Sequence, residues 1–286
     1  MNAAKRPTRS EAREAARQKA REISRQTNAR SKRARFFTQA GLGVAALAVI
    51  SILAIVIMQG TAPAGPGPIN MASDGIKIGA NYEAVRTQAL PADSAPVATP
   101  ANEPGVVDIT LFVDYLCPIC GEFEKTNGQA INELVSSGAA TVEIHPLAFL
   151  DNRSQGTKYS TRASNAAACM ANYSPNSFYT FHNSLYANQP AENTPGLDDQ
   201  TLIDLANKAG AAPQVADCIN NGDFEDWVAA QTERAMNGKV AINNLDPSFT
   251  GITGTPTVLI NGVPFQYSYP FDTAEFLSAV QAAASN

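Results

Sequence analysis

Cysteine and histidine are scarce in this chain of 286 residues, which holds four Cys, two His and a single Trp. A structural zinc site usually takes four thiolate or imidazole ligands. Beyond Cys117 and Cys120 the candidates are Cys169, Cys218, His145 and His182, with no second C-x-x-C and no close His pair. The sequence therefore offers no metal site, and nothing in it implies a cofactor. Charge is missing over a long stretch, with no Asp, Glu, Lys or Arg from Phe36 to Ala72. Internal repeats are also lacking.

What charge there is falls unevenly. Met1–Phe36 carries twelve Lys/Arg against three acids, and the remainder carries nine against twenty-three. One end is cationic and the rest acidic, so the two face different surroundings. Between them Phe36–Met58 reads FFTQAGLGVAALAVISILAIVIM. As a helix it would be ~34 Å long at ~1.5 Å per residue, enough for a hydrocarbon core of ~30 Å. A cleaved signal peptide is the rival, with Ala62-Pro63-Ala64 as its site. Its apolar region would be only ~7–15 residues long. The run and its long basic arm favour an uncleaved anchor. Arg30, Lys32, Arg33 and Arg35 crowd one flank, and the first basic residue on the other is Lys77. The positive-inside rule then places the N-terminus in the cytoplasm and the chain beyond Gly60 outside. Four cysteines suit such an oxidising compartment.

The expected organisation is a basic cytoplasmic tail (1–35), a transmembrane helix (36–59), an extracytoplasmic linker (60–105) and one domain (106–286). The tail is read as a solvated topology determinant with lipid headgroups as neighbours, and no nucleic-acid partner is expected. Gln59–Pro68 and Leu90–Pro104 are rich in Pro, Ala and Gly, and Gly75–Gly79 holds a possible short strand. Within the domain, Asp108–Tyr115 and Thr141–Leu147 read as strands. Pro118–Ser137 reads as a helix stopped by Gly138. A helical block follows, an insertion over about 155–245. Thr257–Ile260 and Val263–Tyr267 flank Asn261-Gly262, a strong hairpin signal. Phe271–Ala284 closes the chain as a helix.

The chemistry sits at Cys117-Pro118-Ile119-Cys120, where strand meets helix. Unpaired N–H groups and the helix dipole favour negative charge there. A thiolate at Cys117 is thereby stabilised below the ~8.5 of free Cys. Pro118 suits a first turn, where its missing N–H costs nothing. Cys120, one turn on, can attack a mixed disulfide at Cys117. Taken alone, a C-x-x-C also fits a zinc half-site or an inert staple. Thr255-Pro256, opening the strand Thr257–Ile260, and the helical block favour redox chemistry.

Residues 106–286 resemble the DsbA-like thioredoxin-fold family, and the whole chain resembles its membrane-anchored actinobacterial versions. The segments that carry the likeness are Val113–Cys120 with Phe123-Glu124, His145-Pro146-Leu147 and Tyr159-Ser160. Ala166–Cys169, Phe181–Leu185 and Thr253–Thr257 add to it. The resemblance implies an α/β, thioredoxin-like fold with an α-helical insertion, preceded here by one N-terminal transmembrane helix. It implies a thiol–disulfide oxidoreductase with Cys117 and Cys120 catalytic. Thr255 and a cis Pro256 would face that pair in the substrate groove. Its partners would be secreted or envelope proteins bearing cysteines and a membrane protein that re-oxidises or reduces it.

Two departures stand out. Pro118-Ile119 carries no His between the cysteines, and Leu111 occupies the place of the family's buried acid, six residues before Cys117. Asp114, three before, is expected on the opposite strand face. Water or Glu122 is left for the Cys120 proton. An oxidase is the expected activity. A reductase or isomerase on the same scaffold, and a membrane-tethered binding module with a structural C-x-x-C, remain open. Cys169 and Cys218 are open to three states: bridge, free thiols or relay. A bridge is expected, since they need only reach each other. His145 and His182 are read as surface or satisfied core groups and Trp227 as packing. Glu122, Glu124 and Lys125 are read as an exposed face.

Overall fold

The structure, a computed structural model, describes residues 65–285. The basic tail and the apolar segment expected to span a membrane lie outside the described residues. Among the described residues no helix is long and apolar enough to cross a membrane.

Five strands form one sheet: β1 (Ile76–Ile78), β2 (Val107–Val113), β3 (Ala140–Pro146), β4 (Thr257–Ile260) and β5 (Val263–Pro264), in the order β1-β3-β2-β4-β5. β2 and β3 run parallel, with Val107 opposite Ala140 and Val113 opposite Pro146. A parallel pair needs a crossover, supplied by α1 (Pro118–Ser137), which ends at Gly138 as expected. β4 pairs antiparallel with β2, and β5 with β4. Asn261 and Gly262 both have positive φ, 48° and 80°, as a two-residue hairpin of this hand requires. A Cβ on Gly262 would run into the Asn243 and Asn244 carbonyls. The helix α7 (Thr273–Ala284) starts on an Asp272 cap and packs against α1 and the sheet.

Side-chain alternation sorts β2 onto two faces. Ile109, Leu111 and Val113 join the main core, with Phe123, Ile131 and Val135 of α1 and Phe276 and Val280 of α7. Phe112 turns the other way, with Leu259, Ile252 and Ala235. That second face is largely polar. The Lys77 ammonium lies 2.7 Å from Asp108 and 3.8 Å from Glu143. His145 Nε2 lies 3.5 Å from Glu143, and its ring stacks on Phe112.

The segment before β2 covers this stripe. β1 pairs antiparallel with β3. The Thr99 hydroxyl donates to Glu143 (2.8 Å), as does the Ser73 hydroxyl, and the Asn102 amide donates to Thr141 (2.8 Å). Met71, Ile76 and Ile78 are buried in the main core. The stretch read as a linker therefore adds a strand to the sheet and supplies partners to the buried Glu143 and Thr141 of β3.

Between β3 and β4 the chain forms α2 (Tyr159–Tyr173), α3 (Phe178–Ala187), α4 (Asp199–Ala209), α5 (Gln214–Asn221) and α6 (Glu225–Met236). Ala163, Ala166–Ala168 and Ala171 are buried in α2, and such small side chains let neighbouring helices approach closely. Cys169 of α2 and Cys218 of α5 are disulfide-bonded, with Cα atoms 5.9 Å apart. Trp227 is buried in α6.

The bridge spans 49 positions of chain. By the chain-entropy relation such a loop contributes about 4 kcal/mol. Cys169→Ser is expected to lower the melting temperature while leaving Cys117 reactive. Calorimetry beside an oxidised wild type checks this, and an unchanged melting temperature would count against it.

Candidate functional site

β2 ends at Val113 and the chain turns through Asp114–Leu116 into α1. The Cys117 N–H donates to the Asp114 carbonyl (3.0 Å), closing the turn. Cys117 then caps α1 with an extended backbone, and its sulfur accepts from the Cys120 N–H at 3.4 Å. Pro118 is the first helical residue and, with Ile119, is exposed. Both cysteines are free thiols. Cys120 is 1% exposed and Cys117 only 5%, so the Cys117 sulfur is better covered than a thiol on an open helix end would be.

Part of that cover comes from Thr255-Pro256, whose peptide bond is cis. The Cys117 thiol donates to the Thr255 carbonyl at 3.2 Å. The structure thus brings together Cys117, Cys120, Pro118, Ile119, Thr255 and Pro256, residues separated by up to 139 positions in sequence. Cys169 and Cys218 are held apart from them in the helical insertion by their own bridge.

The two sulfurs differ sharply. Cys117 is drawn down to about 6, chiefly by a hydrogen bond from the Cys120 thiol. Burial opposes this, and the Thr255 side chain and the Ile119 and Cys120 N–H groups assist it. The Thr255 carbonyl, an acceptor, favours the protonated thiol, but the donors outweigh it. Cys120 is pushed well above the ordinary thiol range by burial, then by its bond to Cys117 and the Cys117 charge. One sulfur is set to be an anion at neutral pH and the other to keep its proton.

The strand stops at Val113, so alternation no longer governs the next residue. Asp114 is fully buried. One carboxylate oxygen accepts from the Leu116 N–H and the Ser160 hydroxyl, the other from the Phe149 and Leu150 N–H groups, all at 2.8 Å. Burial lifts it to about 6 against those donors, and the Cys117 charge adds to the rise. An acid in an apolar run, three residues before a C-x-x-C, was the available signal. Leu111, at the position discussed above, is simply core.

Other groups near the site come from distant segments. The Tyr267 hydroxyl donates to the Pro256 carbonyl at 2.9 Å. Burial raises its pKa, with the charges of Cys120 and Cys117 adding to the rise. Glu122 is exposed and accepts from the Tyr269 hydroxyl (2.6 Å). Nothing in the sequence around either tyrosine signals these contacts. Lys125 is exposed as expected, but Glu124 is not. It lies 3.1 Å from His182, which is fully buried and 3.2 Å from the Tyr115 hydroxyl. His182 is a satisfied core group. The neighbours of His145 are Glu143, Phe112 and Gly75, so it belongs to the polar sheet face. Among the described residues no group of His, Cys, Asp and Glu is gathered to hold a metal. A groove of about 740 Å³ starts at Pro118 and runs between α1 and α3, past Lys125, Asn132 and Asn183.

Comparison with known proteins agrees with this geometry. A family model described as thioredoxin matches residues 102–282. The serine/threonine-protein kinase PknE of Mycobacterium tuberculosis is 33% identical over 166 residues, 57% of this chain and 28% of PknE. The chain thus spans less than a third of the length of that curated relative. The reduced disulfide bond oxidoreductase DsbG of M. tuberculosis is 31% identical, with a TM-score of 0.52 over 68% of this chain and 86% of its own. Oxidised DsbA of M. tuberculosis is 29% identical, with a TM-score of 0.53 over 74% and 93%. BdbD of Bacillus subtilis, at 19% identity and a TM-score of 0.54 over 79% and 100%, shares the fold. By the match over more than half its length and the strand–C-x-x-C–helix unit facing a cis proline, the chain belongs to the thioredoxin family, among its DsbA-like thiol–disulfide oxidoreductases.

Proposed function

We propose that the protein is an extracytoplasmic, membrane-anchored oxidase that introduces disulfides into secreted or envelope proteins. The observation that carries this is the split between the sulfurs, Cys117 held near 6 and Cys120 far above it. Stabilising the thiolate stabilises the reduced pair, which makes the corresponding disulfide a stronger oxidant.

The oxidised pair would react in two steps. A client thiolate attacks Cys117 Sγ, and the Cys117–Cys120 bond breaks. Cys120 leaves as a thiolate and takes a proton. A second client thiolate then attacks the client sulfur of the mixed disulfide, and Cys117 departs as the stabilised anion. The client loses two electrons and the pair gains them, so a membrane partner must take them away. The Thr255 backbone beside Cys117 would pair with an extended client as a short added strand. With Ile119 where a His would add a donor, the pair should be less oxidising than DsbA.

The Cys169–Cys218 bridge supports placement in an oxidising compartment. The apolar run and the basic arm support an anchor over 36–59, with the N-terminus in the cytoplasm. Protease added outside intact cells is expected to reach residues beyond Gly60 and spare 1–35. A mature soluble product starting near Gly65 would sink the anchor.

Three measurements test the chemistry. Cys117 alkylation is expected to rise with pH through a midpoint near 6. The reduction potential is expected between about −270 mV, as in thioredoxin, and about −120 mV, as in DsbA. A potential at or below the thioredoxin value would make the protein a reductase. Cys120→Ser is expected to accumulate mixed disulfides between Cys117 and clients. Their absence in cells making the variant would point to a non-catalytic binding module.

A further inference from the structure

Gln189 lies just beyond α3, two residues past Ala187. Its side-chain amide donates to the Cys117 carbonyl at 2.8 Å and to the Tyr115 carbonyl at 3.2 Å. These are the carbonyls of the turn that carries the nucleophile. Both hydrogens of one NH2 group are thereby used. The Cys117 carbonyl also accepts from the Gly121 N–H at 3.1 Å, the first helical bond of α1. The helical insertion and the active-site helix thus meet at one oxygen atom.

Gly121 has an independent bearing on this contact. Glycine is the poorest helix former after proline, and Gly121 lies inside α1 without a positive φ. No backbone requirement explains it. A Cβ built there would land on the Gln189 amide. The missing side chain is what lets the amide reach the turn.

We propose that Gln189 is a positioning residue for the redox site, holding the Tyr115 and Cys117 carbonyls so that the first-turn N–H groups stay aimed at the Cys117 sulfur. This rests on the oxidoreductase reading above. Without Gln189 the Cys117 carbonyl keeps its bond to Gly121, so α1 survives. What is lost is the lateral anchor. The Ile119 and Cys120 N–H groups are among the donors that favour the thiolate, and loosening the turn weakens both.

The test uses the full chain, with ultraviolet thiolate absorbance against pH and the redox equilibrium with glutathione as readouts. Gln189→Ala is expected to raise the Cys117 midpoint by about half to one pH unit, about three- to tenfold in acid constant. The disulfide should become less oxidising by a similar factor. Gln189→Glu, which puts acceptors and a charge against the two carbonyls, should move both further. Gly121→Ala should act in the same direction in the wild type and add nothing in the Gln189→Ala background, the non-additivity expected of one shared contact. Unchanged titration and equilibrium in Gln189→Ala would overturn the proposal. So would a Gly121→Ala effect that persists without Gln189. A wild-type chain that neither titrates near 6 nor exchanges with glutathione would instead sink the oxidoreductase reading, and the positioning role with it.

Discussion

A negative charge on a sulfur that is almost covered must be met by donors, and the architecture around Cys117 follows from that. Burial alone would push the thiol up. Here the opposing donors prevail, and they come from separate places. The Cys120 thiol and two N–H groups belong to the first turn of α1, and the Thr255 side chain belongs to the loop before β4. The parallel β2–β3 crossover sets the helix end at the strand end. The antiparallel β2–β4 pairing, with Phe112 opposite Thr257, brings the Thr255 loop to the same edge. The thiolate is therefore a property of the fold, which a four-residue motif alone would not produce.

The same arrangement separates the two sulfurs. A group that donates to its neighbour stabilises the neighbour's charge and resists losing its own proton. Cys120 is driven up first by its burial and then by the same contact that draws Cys117 down. In an exchange this asymmetry decides which sulfur leaves readily as an anion.

Much of this was legible in sequence because it is local. The C-x-x-C at a strand–helix junction, the Gly138 stop and the Asn261-Gly262 hairpin are set by neighbours a few residues apart. The missed features depend on long-range placement. Leu90–Pro104 has a linker's composition, yet Thr99 and Asn102 satisfy buried groups of β3 that no local pattern reveals. Tyr267, Tyr269 and Gln189 reach the site from loops whose sequences carry no redox signal. Asp114 follows the last residue of β2, and the donors that meet its carboxylate come from the turn after the strand, from Phe149 and Leu150 and from α2.

Asp114 and Cys117 bear on stability with opposite signs. Four hydrogen-bond donors would ordinarily depress a carboxyl pKa, yet Asp114 stands at about 6, so burial wins. Its folded value lies above the ordinary 3.8. Its contribution to stability is therefore fully present below 3.8 and is lost as pH rises through 6. Cys117 is displaced the other way, from 9.0 to about 6. Its contribution is present above 9.0 and is lost as pH falls through 6. In the reduced protein the loss from Asp114 ionising comes first as pH rises, and the gain from the thiolate follows. The Cys117 charge also adds to the rise of Asp114. In the oxidised protein Cys117 no longer titrates, and only the loss remains. Near neutral pH the reduced fold therefore keeps a contribution from the Cys117 thiolate that the oxidised fold lacks.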